Sequence, residues 1–316
     1  MATTVGPARG MRDFLPADKR RRDALLHTIS SRYQQHGFEP IETPAVEDHD
    51  TLHSGLGGDN EKLSFQVLKR GLDPSTLGSV GSIDELADLG LRFDLTVPLA
   101  RFVASHRSEL PDVFRALHIA PVWRAERPQK GRYRQFVQCD IDIVGEQSNL
   151  AEREILLATA DVLDALGVTN TAFRVNDRRL LTGMLDAAGV AADAQLSVLI
   201  TLDKLDKIGI DGVLSELEGR HGSGVNRDQI SAFLHAASSP TALDAVAIAD
   251  VMSVSEELAG ELVGWASDVA EMIGPDRVVF DPTLVRGMGY YTGSIIELYH
   301  PELGVSLGGG GRYDGM

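Results

Sequence analysis

The chain has 316 residues, of which 43% are hydrophobic and 24% charged, a composition typical of a globular protein with one large domain or two smaller ones. The formal net charge of −16 argues against a general nucleic-acid binder, although a local basic patch can still bind a polyanion. We expect a cytoplasmic protein without membrane segments, because there is no run of 18 apolar residues and no apolar signal core at the N-terminus. The single cysteine, Cys139, excludes an internal disulfide and is expected to be a buried, unreactive thiol.

Helices and short strands are predicted in the first part of the chain. Asp18 can cap an amphipathic helix that runs to about His36. Its apolar stripe contains Leu25, Leu26, Ile29 and Tyr33. Strands are predicted over Phe38–Val46, Glu61–Lys69 and Leu91–Pro98. Residues 71–90 predict a surface insertion, and a helix follows the third strand as far as Arg107.

The third strand contains a candidate site. With a period of two, Asp94 and Thr96 share one face of it. Such a pair can bind an ammonium group. From the residues alone, a structural aspartate that accepts backbone hydrogen bonds is the simpler interpretation.

The stretch from Val122 to Gly145 has the clearest pattern in the chain. Its second half alternates apolar and polar residues, which predicts a strand with one face on the core and one on a pocket or solvent. Residues Val122–Glu126 predict the partner strand, and Arg127–Gly131 predicts a basic loop between them. A solvated face is the ordinary interpretation of such polar residues, but this mixture suits a small zwitterion and a nucleotide better. The residues of this mostly polar face, one of them aromatic, are Arg124, Glu126, Arg132, Arg134, Phe136, Gln138, Asp140 and Asp142.

The second half of the chain predicts a long helical segment between strands. Helices are expected over Asn149–Leu166 and Arg178–Ala188, and an all-helical insertion over Val190–Gly274. Strands are expected over Thr171–Val175, Val278–Phe280, Ser294–Tyr299 and Val305–Leu307. The run Gly308–Gly311 permits a close backbone approach, either to a ligand or in a crowded core strand. His221 and His235 lack ligand-spaced partners, so no protein metal site is predicted.

Four stretches together resemble the histidyl-tRNA synthetases, which are class II aminoacyl-tRNA synthetases. They are Leu91–Pro98 (LRFDLTVP), Glu126–Glu146 (ERPQKGRYRQFVQCDIDIVGE), Leu284–Thr292 (LVRGMGYYT) and Gly309–Gly315 (GGGRYDG). The hairpin resembles motif 2 of that class. The first helix and the strand after it resemble motif 1, which forms the family's dimer interface, although an intramolecular partner would explain the same pattern.

The resemblance implies an α+β fold: a class II synthetase-like antiparallel sheet flanked by helices, with a helical insertion domain. Residues 1–175 would form the catalytic core with motifs 1 and 2. Residues 176–276 would form the insertion, and residues 277–316 would return to the core.

The resemblance also implies a reaction and its residues. A homodimer would use ATP, accompanied by Mg²⁺, to activate L-histidine and transfer it to tRNA(His). Arg124 and Arg286 would be the catalytic cations. ATP would contact Arg124, Glu126 (adenine amino group), Arg132 (distal phosphates), Phe136 (adenine ring) and Arg286. Histidine would contact Asp94, Leu95, Thr96, Arg124, Gln138, Asp142, Arg286, Tyr290 and Tyr291.

Departures from the family pattern leave alternatives open. Gly289 and Asp94 stand where other members have different residues, but neither change removes a proposed ligand. Motif 3 and the anticodon-binding domain would follow Gly315, so the resemblance implies a catalytic-domain portion with little charging activity. The histidine-binding regulatory subunit of ATP phosphoribosyltransferase is therefore the main alternative, and a paralogue with another substrate is a further one. The ligase is favoured because a regulatory subunit needs no complete nucleotide site.

Overall fold

The chain forms two compact units, Met1–Gln147 and Ser148–Met316. The structure, a computed structural model, describes residues 5–53, 64–73, 78, 80–82, 84–128, 131–237, 240–285 and 290–316. Arg286, the loop residues 129–130 and the start of the strand predicted over Glu61–Lys69 lie outside the described residues. The domain boundaries expected after residues 175 and 276 stay predictions.

The described part of the first unit contains three helices and six strands. The helices are α1 (Pro16–Gln35), α2 (His49–His53) and α3 (Thr96–His106). The strands are β1 (Glu39–Ile41), β2 (Val46–Asp48), β3 (Phe65–Leu68), β4 (Ala87–Leu91), β5 (Phe114–Trp123) and β6 (Gln135–Val144). One sheet has the order β1-β5-β6, with β1 parallel to β5 and β5 antiparallel to β6. The other is antiparallel and has the order β2-β4-β3.

The predicted hairpin is confirmed, but its first strand begins and ends earlier in the sequence than predicted. The pairing runs from Phe114 opposite Val144 to Trp123 opposite Gln135. The strand predicted over Val122–Glu126 therefore ends at Trp123, and the residues after it belong to the loop. Strand β5 is largely buried on both faces, so it has an almost continuous apolar sequence rather than the alternation that marks β6.

The strand predicted over Leu91–Pro98 is wrong. Strand β4 ends at Leu91, so most of it lies in residues that were predicted to belong to the surface insertion. Helix α3 begins at Thr96. Pro98 lies in the first helical turn, where a missing N–H leaves no helical hydrogen bond unmade. Asp94 thus precedes a helix instead of sharing a strand face with Thr96, and one of its carboxylate oxygens accepts from the Val97 N–H at 3.4 Å.

Helix α1 is confirmed with small differences. It begins at Pro16 after Leu15, so Asp18 lies in the first turn and is not the cap. Of the predicted apolar stripe, Ile29 and Tyr33 are buried, whereas Leu25 is 46% exposed. The strand predicted after the helix is in fact two short ones, β1 and β2.

Buried Arg92 ties together the segments around these strands. Its guanidinium donates to the carbonyl oxygens of Thr43 at 2.7 Å, Pro44 at 3.1 Å and Pro121 at 2.9 Å. These contacts fix the segment between β1 and β2 against the end of β5, beside the connection that carries Asp94.

The second unit has seven helices and four strands among its described residues. The helices are α4 (Leu150–Ala165), α5 (Arg178–Ala187), α6 (Ala192–Leu202), α7 (Leu205–His221), α8 (Arg227–Ala236), α9 (Ala245–Met252) and α10 (Glu256–Ile273). The strands are β7 (Ala172–Asp177), β8 (Val278–Phe280), β9 (Ser294–His300) and β10 (Val305–Gly311). They form one sheet in the order β10-β9-β7-β8. Asp177 and Ser255 cap α5 and α10 by accepting backbone N–H groups.

The glycine run continues strand β10, which was predicted to end at Leu307. A Cβ atom on Gly311 would lie 2.5 Å from the Ser294 carbonyl oxygen and 2.7 Å from the Tyr291 ring, whereas Gly308 and Gly310 face open space. The close approach is therefore needed at Gly311, against neighbouring protein atoms.

These elements confirm the α+β class, with mainly antiparallel sheets and flanking helices. In the described part of the chain, no single helix has the length and hydropathy to cross a membrane, and one sharply bent pair, Arg178–Ala187 with Ala192–Leu202, passes only by length and composition.

Candidate functional site

On the polar face of β6, Asp142 and Gln138 lie opposite Ala116 and Ala120 of β5, and the two alanines leave room beside these polar groups. Asp140 lies between them, opposite the buried ring of His118. Leu95 packs with Ala120, and thereby holds the connection before α3 against the same face. The fold thus brings Asp94 close to the polar side chains of β6. Asp94 does so from the connection between β4 and α3, and not from a strand as predicted.

Arg124, the first residue after β5, is fixed by three groups. Its Nε donates to the Phe93 carbonyl oxygen at 2.9 Å, and its Nη2 donates to Gln138 Oε1 at 3.3 Å. The guanidinium carbon lies 5.1 Å from the centre of the Phe136 ring. The guanidinium is therefore held in one orientation, and such a group suits the recognition of a carboxylate or a phosphate.

Asp140 continues this chain of hydrogen bonds. The Gln138 amide nitrogen lies 3.3 and 3.2 Å from the two carboxylate oxygens of Asp140. Because the amide nitrogen donates to Asp140, the amide oxygen is left to accept from Arg124. The sequence placed Asp140 on the polar face but gave it no role. The signal was its position two residues after Gln138 on a strand, which puts both side chains on one face.

Three carboxylates share this region. Burial raises the pKa of Asp94 to about 6, and the charge of Asp142 adds to the rise. Loss of hydration raises the pKa of Asp140 to about 8, with further contributions from Asp142 and Asp94, while Gln138 and Arg124 act in the opposite direction. The site therefore favours a cationic ligand, which would relieve the repulsion among these carboxylates.

Asp94 carries the most specific signal for a ligand. Its side chain is 2% exposed, and its Oδ2 makes no hydrogen bond to the part of the chain that the structure describes. A buried carboxylate oxygen without a donor is costly, so its persistence favours a ligand that brings N–H groups. The capping bond to Val97 and the unpaired oxygen together show that the structural and the binding interpretations of Asp94 are compatible.

The raised pKa of Asp140 predicts a pH dependence of stability. The folded chain holds this proton up to about pH 8, whereas an unfolded aspartate releases it near pH ~3.9, so the free energy of unfolding falls as pH rises between these values. Asp140→Asn keeps an acceptor for Gln138 but cannot ionise. Its free energy of unfolding should fall less than that of the wild type in urea titrations at about pH 5 and about pH 9.

Asp88→Asn is the control, because Asp88 is exposed on β4. Parallel stability curves for wild type and Asp140→Asn would show that Asp140 does not hold a proton in the folded chain.

The residues expected to contact adenine and the outer phosphates lie at the hairpin end. Phe136 is half-buried against the cluster of Leu95, Ala120 and Val122. Glu126 and Arg132 lie 3.8 Å apart in an exposed ion pair. They are close enough to serve one ligand, but Arg132 is 65% exposed and therefore less constrained than Arg124.

Aromatic residues gather in the second unit. Tyr290 and Tyr291 are each 9% exposed, with ring centres 4.8 Å apart, and Tyr313 lies 6.0 Å from Tyr290 in an edge-to-face arrangement. Tyr313 belongs to the GGGRYDG stretch, from which the sequence analysis assigned no residue. Its position inside one of the four stretches that carry the resemblance could have marked it as a third aromatic group.

An ion pair anchors the segment after β10. Arg312 Nη2 lies 2.7 Å from Glu152 Oε2, and its Nε donates to Glu152 Oε1 at 2.8 Å. The Ser294 hydroxyl donates to the same carboxylate at 3.1 Å, and Glu152 is 5% exposed. This buried network fixes Tyr313, the neighbour of Arg312, beside β9.

The half-buried thiol corrects one expectation. Cys139 is only partly buried, not fully buried, on the opposite face of β6. Burial nevertheless raises its pKa to about 11, with Asp140 adding to the rise, so the sulfur stays protonated near neutral pH.

Comparison with known proteins decides the family. The family model described as histidyl-tRNA synthetase matches residues 10–316. The chain belongs to the histidyl-tRNA synthetase family. Its curated relatives include the histidine–tRNA ligase of Leifsonia xyli subsp. xyli (strain CTCB07), which is 55% identical, with 100% of this chain and 75% of that protein covered. The probable histidine–tRNA ligase of Tropheryma whipplei (strain Twist) is 44% identical, with 99% and 74% covered.

Solved structures agree with this membership of the histidyl-tRNA synthetase family. The crystal structure of histidyl-tRNA synthetase from Nostoc sp. PCC 7120 has a TM-score of 0.77 at 30% identity, covering 100% of this chain and 70% of that one. An ATP phosphoribosyltransferase regulatory subunit/histidyl-tRNA synthetase from Bacillus halodurans C has a TM-score of 0.79 at 21% identity, covering 99% and 77%. The second likeness shows the fold alone.

Proposed function

We propose that the chain is a histidine–tRNA ligase. A carboxylate oxygen of L-histidine attacks the α-phosphorus of ATP, the bond to the β-phosphate breaks, and histidyl-adenylate and pyrophosphate form. The terminal hydroxyl of tRNA(His) then attacks the histidyl carbonyl, and AMP leaves. Family membership supports this proposal. The observation that carries it is the Arg124 guanidinium, fixed by Phe93 and Gln138, close enough to influence the buried carboxylate of Asp94, one oxygen of which has no hydrogen-bond partner among the described residues.

The amino-acid half of the proposal uses complementary charges. Asp94, with Leu95 and Thr96 beside it, receives the ammonium group, and Arg124 with Gln138 receives the carboxylate. Asp142 accepts an imidazole N–H, so that an apolar side chain of similar size would leave a charge unpaired. Tyr290 and Tyr291 are assigned to the imidazole by resemblance.

The nucleotide half depends on placing cations around the phosphates. Arg124 neutralises charge at the α-phosphate as it develops, which is the main way in which a protein assists such a transfer. Glu126, Phe136 and Arg132 are proposed for the adenine amino group, the adenine ring and the distal phosphates. Arg286 is proposed as a second cation at the α-phosphate by resemblance alone. Mg²⁺ is proposed to enter with ATP, and the expected homodimer and cytoplasmic location also rest on the family.

Histidine binding by calorimetry tests the proposal. Asp142→Ala should weaken histidine binding by about 1–3 kcal/mol, because imidazole N–H groups are left without an acceptor. ATP binding should change little. Asp88→Ala removes the same charge from an exposed position and should leave both affinities unchanged. An unchanged histidine affinity in Asp142→Ala would remove this residue from the pocket.

The regulatory subunit of ATP phosphoribosyltransferase is less well supported. Only a fold likeness at 21% identity favours it, whereas relatives at 55% and 44% identity carry the ligase name. The two functions differ in one measurement, because only the ligase should exchange labelled pyrophosphate into ATP when histidine is present.

A further inference from the structure

The ring of His118 is a buried polar group to which the proposed reaction gives no role. His118 lies in the middle of β5 and is 1% exposed. It is paired with Ile41 of β1 on one side and with Asp140 of β6 on the other. Side chains at directly opposite positions of an antiparallel pair lie on the same face of the sheet. The imidazole therefore lies on the face that carries the polar side chains of β6, next to the carboxylate that accepts from Gln138.

The contacts of Thr43 indicate which ring nitrogen of His118 carries the hydrogen. Arg92 Nη1 donates to Thr43 Oγ1 at 3.1 Å, and this hydroxyl oxygen lies 3.4 Å from His118 Nε2. If the hydroxyl hydrogen points to Nε2, both groups are satisfied and the ring carries its own hydrogen on Nδ1. The opposite tautomer would leave the hydroxyl hydrogen without an acceptor, and Nδ1 without a donor, among the described residues. The Nδ1–H tautomer is therefore favoured, because it leaves one buried group unsatisfied instead of two.

The imidazole of His118 is neutral near pH 7. Burial lowers its pKa to about 4, and the positive charge of Arg92 contributes to the decrease. A neutral imidazole has a single N–H donor, so His118 does not act on the neighbouring carboxylates as a cation. What the ring can supply to them is one directed hydrogen bond from Nδ1.

The N–H group at Nδ1 needs an acceptor. Nδ1 is buried and makes no hydrogen bond to the part of the chain that the structure describes, an arrangement that destabilises a protein unless an acceptor is supplied. Asp140 holds a carboxylate at the directly opposite position of the sheet. One water molecule between two such groups completes the path. Donation to a carboxylate stabilises its ionised form, which can accept from Gln138 at both oxygens.

We propose that His118 is a positioning residue of the ligase, and that its Nδ1–H holds the Asp140 carboxylate through one bound water molecule. Asp140 orients the Gln138 amide, and the amide oxygen accepts from Arg124 at 3.3 Å. His118 thus acts on Arg124 through Asp140 and Gln138, and it touches neither histidine nor ATP. The reaction that it assists rests on the proposed function.

Two substitutions of His118 separate this role from simple packing. The side-chain nitrogen of asparagine can take the place of Nδ1, whereas that of glutamine reaches the place of Nε2. His118→Asn should therefore keep histidine-dependent ATP–pyrophosphate exchange within about threefold of the wild-type rate, while His118→Gln should lower it about tenfold. Both variants lose the ring, so urea unfolding should show similar losses of stability. Equal exchange rates in the two variants would overturn the proposal.

An Asp140→Ala background is the matched control. If His118 acts through Asp140, His118→Gln should lower the exchange rate about tenfold in the wild-type chain and less than about twofold in the Asp140→Ala chain. Equal losses in the two backgrounds would show that His118 acts independently of Asp140 and would also overturn the proposal.

Nitrogen NMR spectra of protein labelled at its histidine rings give a measurement that does not depend on activity. The ring signal that His118→Asn removes should be that of a neutral Nδ1–H tautomer. Thr43→Val keeps the branched shape and removes the hydroxyl, so it should release the ring to the other tautomer, even if substitutions of His118 prevent folding. An Nε2–H ring in the wild type would overturn the proposal. Absent pyrophosphate exchange in the wild type would instead contradict the proposed function, while the spectra would still decide the state of His118.

Discussion

Replacement of Arg124 by alanine is expected to lower histidine-dependent ATP–pyrophosphate exchange about a hundred- to a thousand-fold, equivalent to about 2.7–4 kcal/mol of lost transition-state stabilisation. The expected loss is large because the guanidinium is already oriented by Phe93 and Gln138 and needs little rearrangement when charge develops at the phosphate. ATP binding should weaken more than histidine binding.

Two further variants separate orientation from charge. Arg124→Lys keeps the charge but cannot make both hydrogen bonds, so its exchange rate should lie between those of wild type and Arg124→Ala. Arg132→Ala removes a more exposed cation and should cost less. Near-normal exchange by Arg124→Ala would show that another group stabilises the transition state.

Replacement of Gly145 by alanine is expected to destabilise the first unit by roughly 2–5 kcal/mol. Gly145 follows β6 with φ +94°, and a Cβ atom there would lie 1.9 Å from the Asp112 carbonyl oxygen. The carbonyl oxygen belongs to the backbone and the position of a Cβ atom is fixed by the backbone of residue 145, so the clash can be relieved only by moving the segment before β5 away from the end of β6. Urea unfolding of the purified variant measures the change.

Gly167→Ala is the comparison for this effect. Gly167 also has a positive φ, of +71°, but a Cβ atom there would meet nothing within 4 Å. Its cost should be confined to backbone strain of roughly 1–2 kcal/mol. If the two variants were equally stable, the approach of Asp112 to Gly145 would not be constrained in solution.

The parts of the fold that could be predicted are the elements with one buried and one exposed face, because their apolar residues recur at regular intervals in the sequence. Strand β6 has a polar and an apolar face, so its alternation is visible, and α4 has an apolar stripe at helical spacing. Strand β5 has no such signal because most of its side chains are buried. The start of α3 was missed because residues 91–98 were interpreted as a strand with a period of two. Pro98 is equally compatible with the first turn of a helix, where it lies in the structure.

The same limit applies to the site. Arg124 and Gln138 were placed together because both belong to one hairpin. The role of Asp140 depends on Gln138, Asp142 and Asp94, and the last of these arrives from a distant segment. No pattern of residue spacing in the sequence indicates that Asp94 lies near Asp140. The contact of Tyr313 with Tyr290 likewise forms only when β10 pairs with β9.

The buried pair of Glu152 and Arg312 has a consequence for the order of folding. The two residues are 160 positions apart, with six helices of the second unit between them. Closing a loop of that length costs chain entropy before any contact compensates for it, whereas helices form from neighbouring residues on a much shorter timescale. We expect the helices between them to collapse first and this ion pair to close late, so that Glu152 remains hydrated until the sheet is complete.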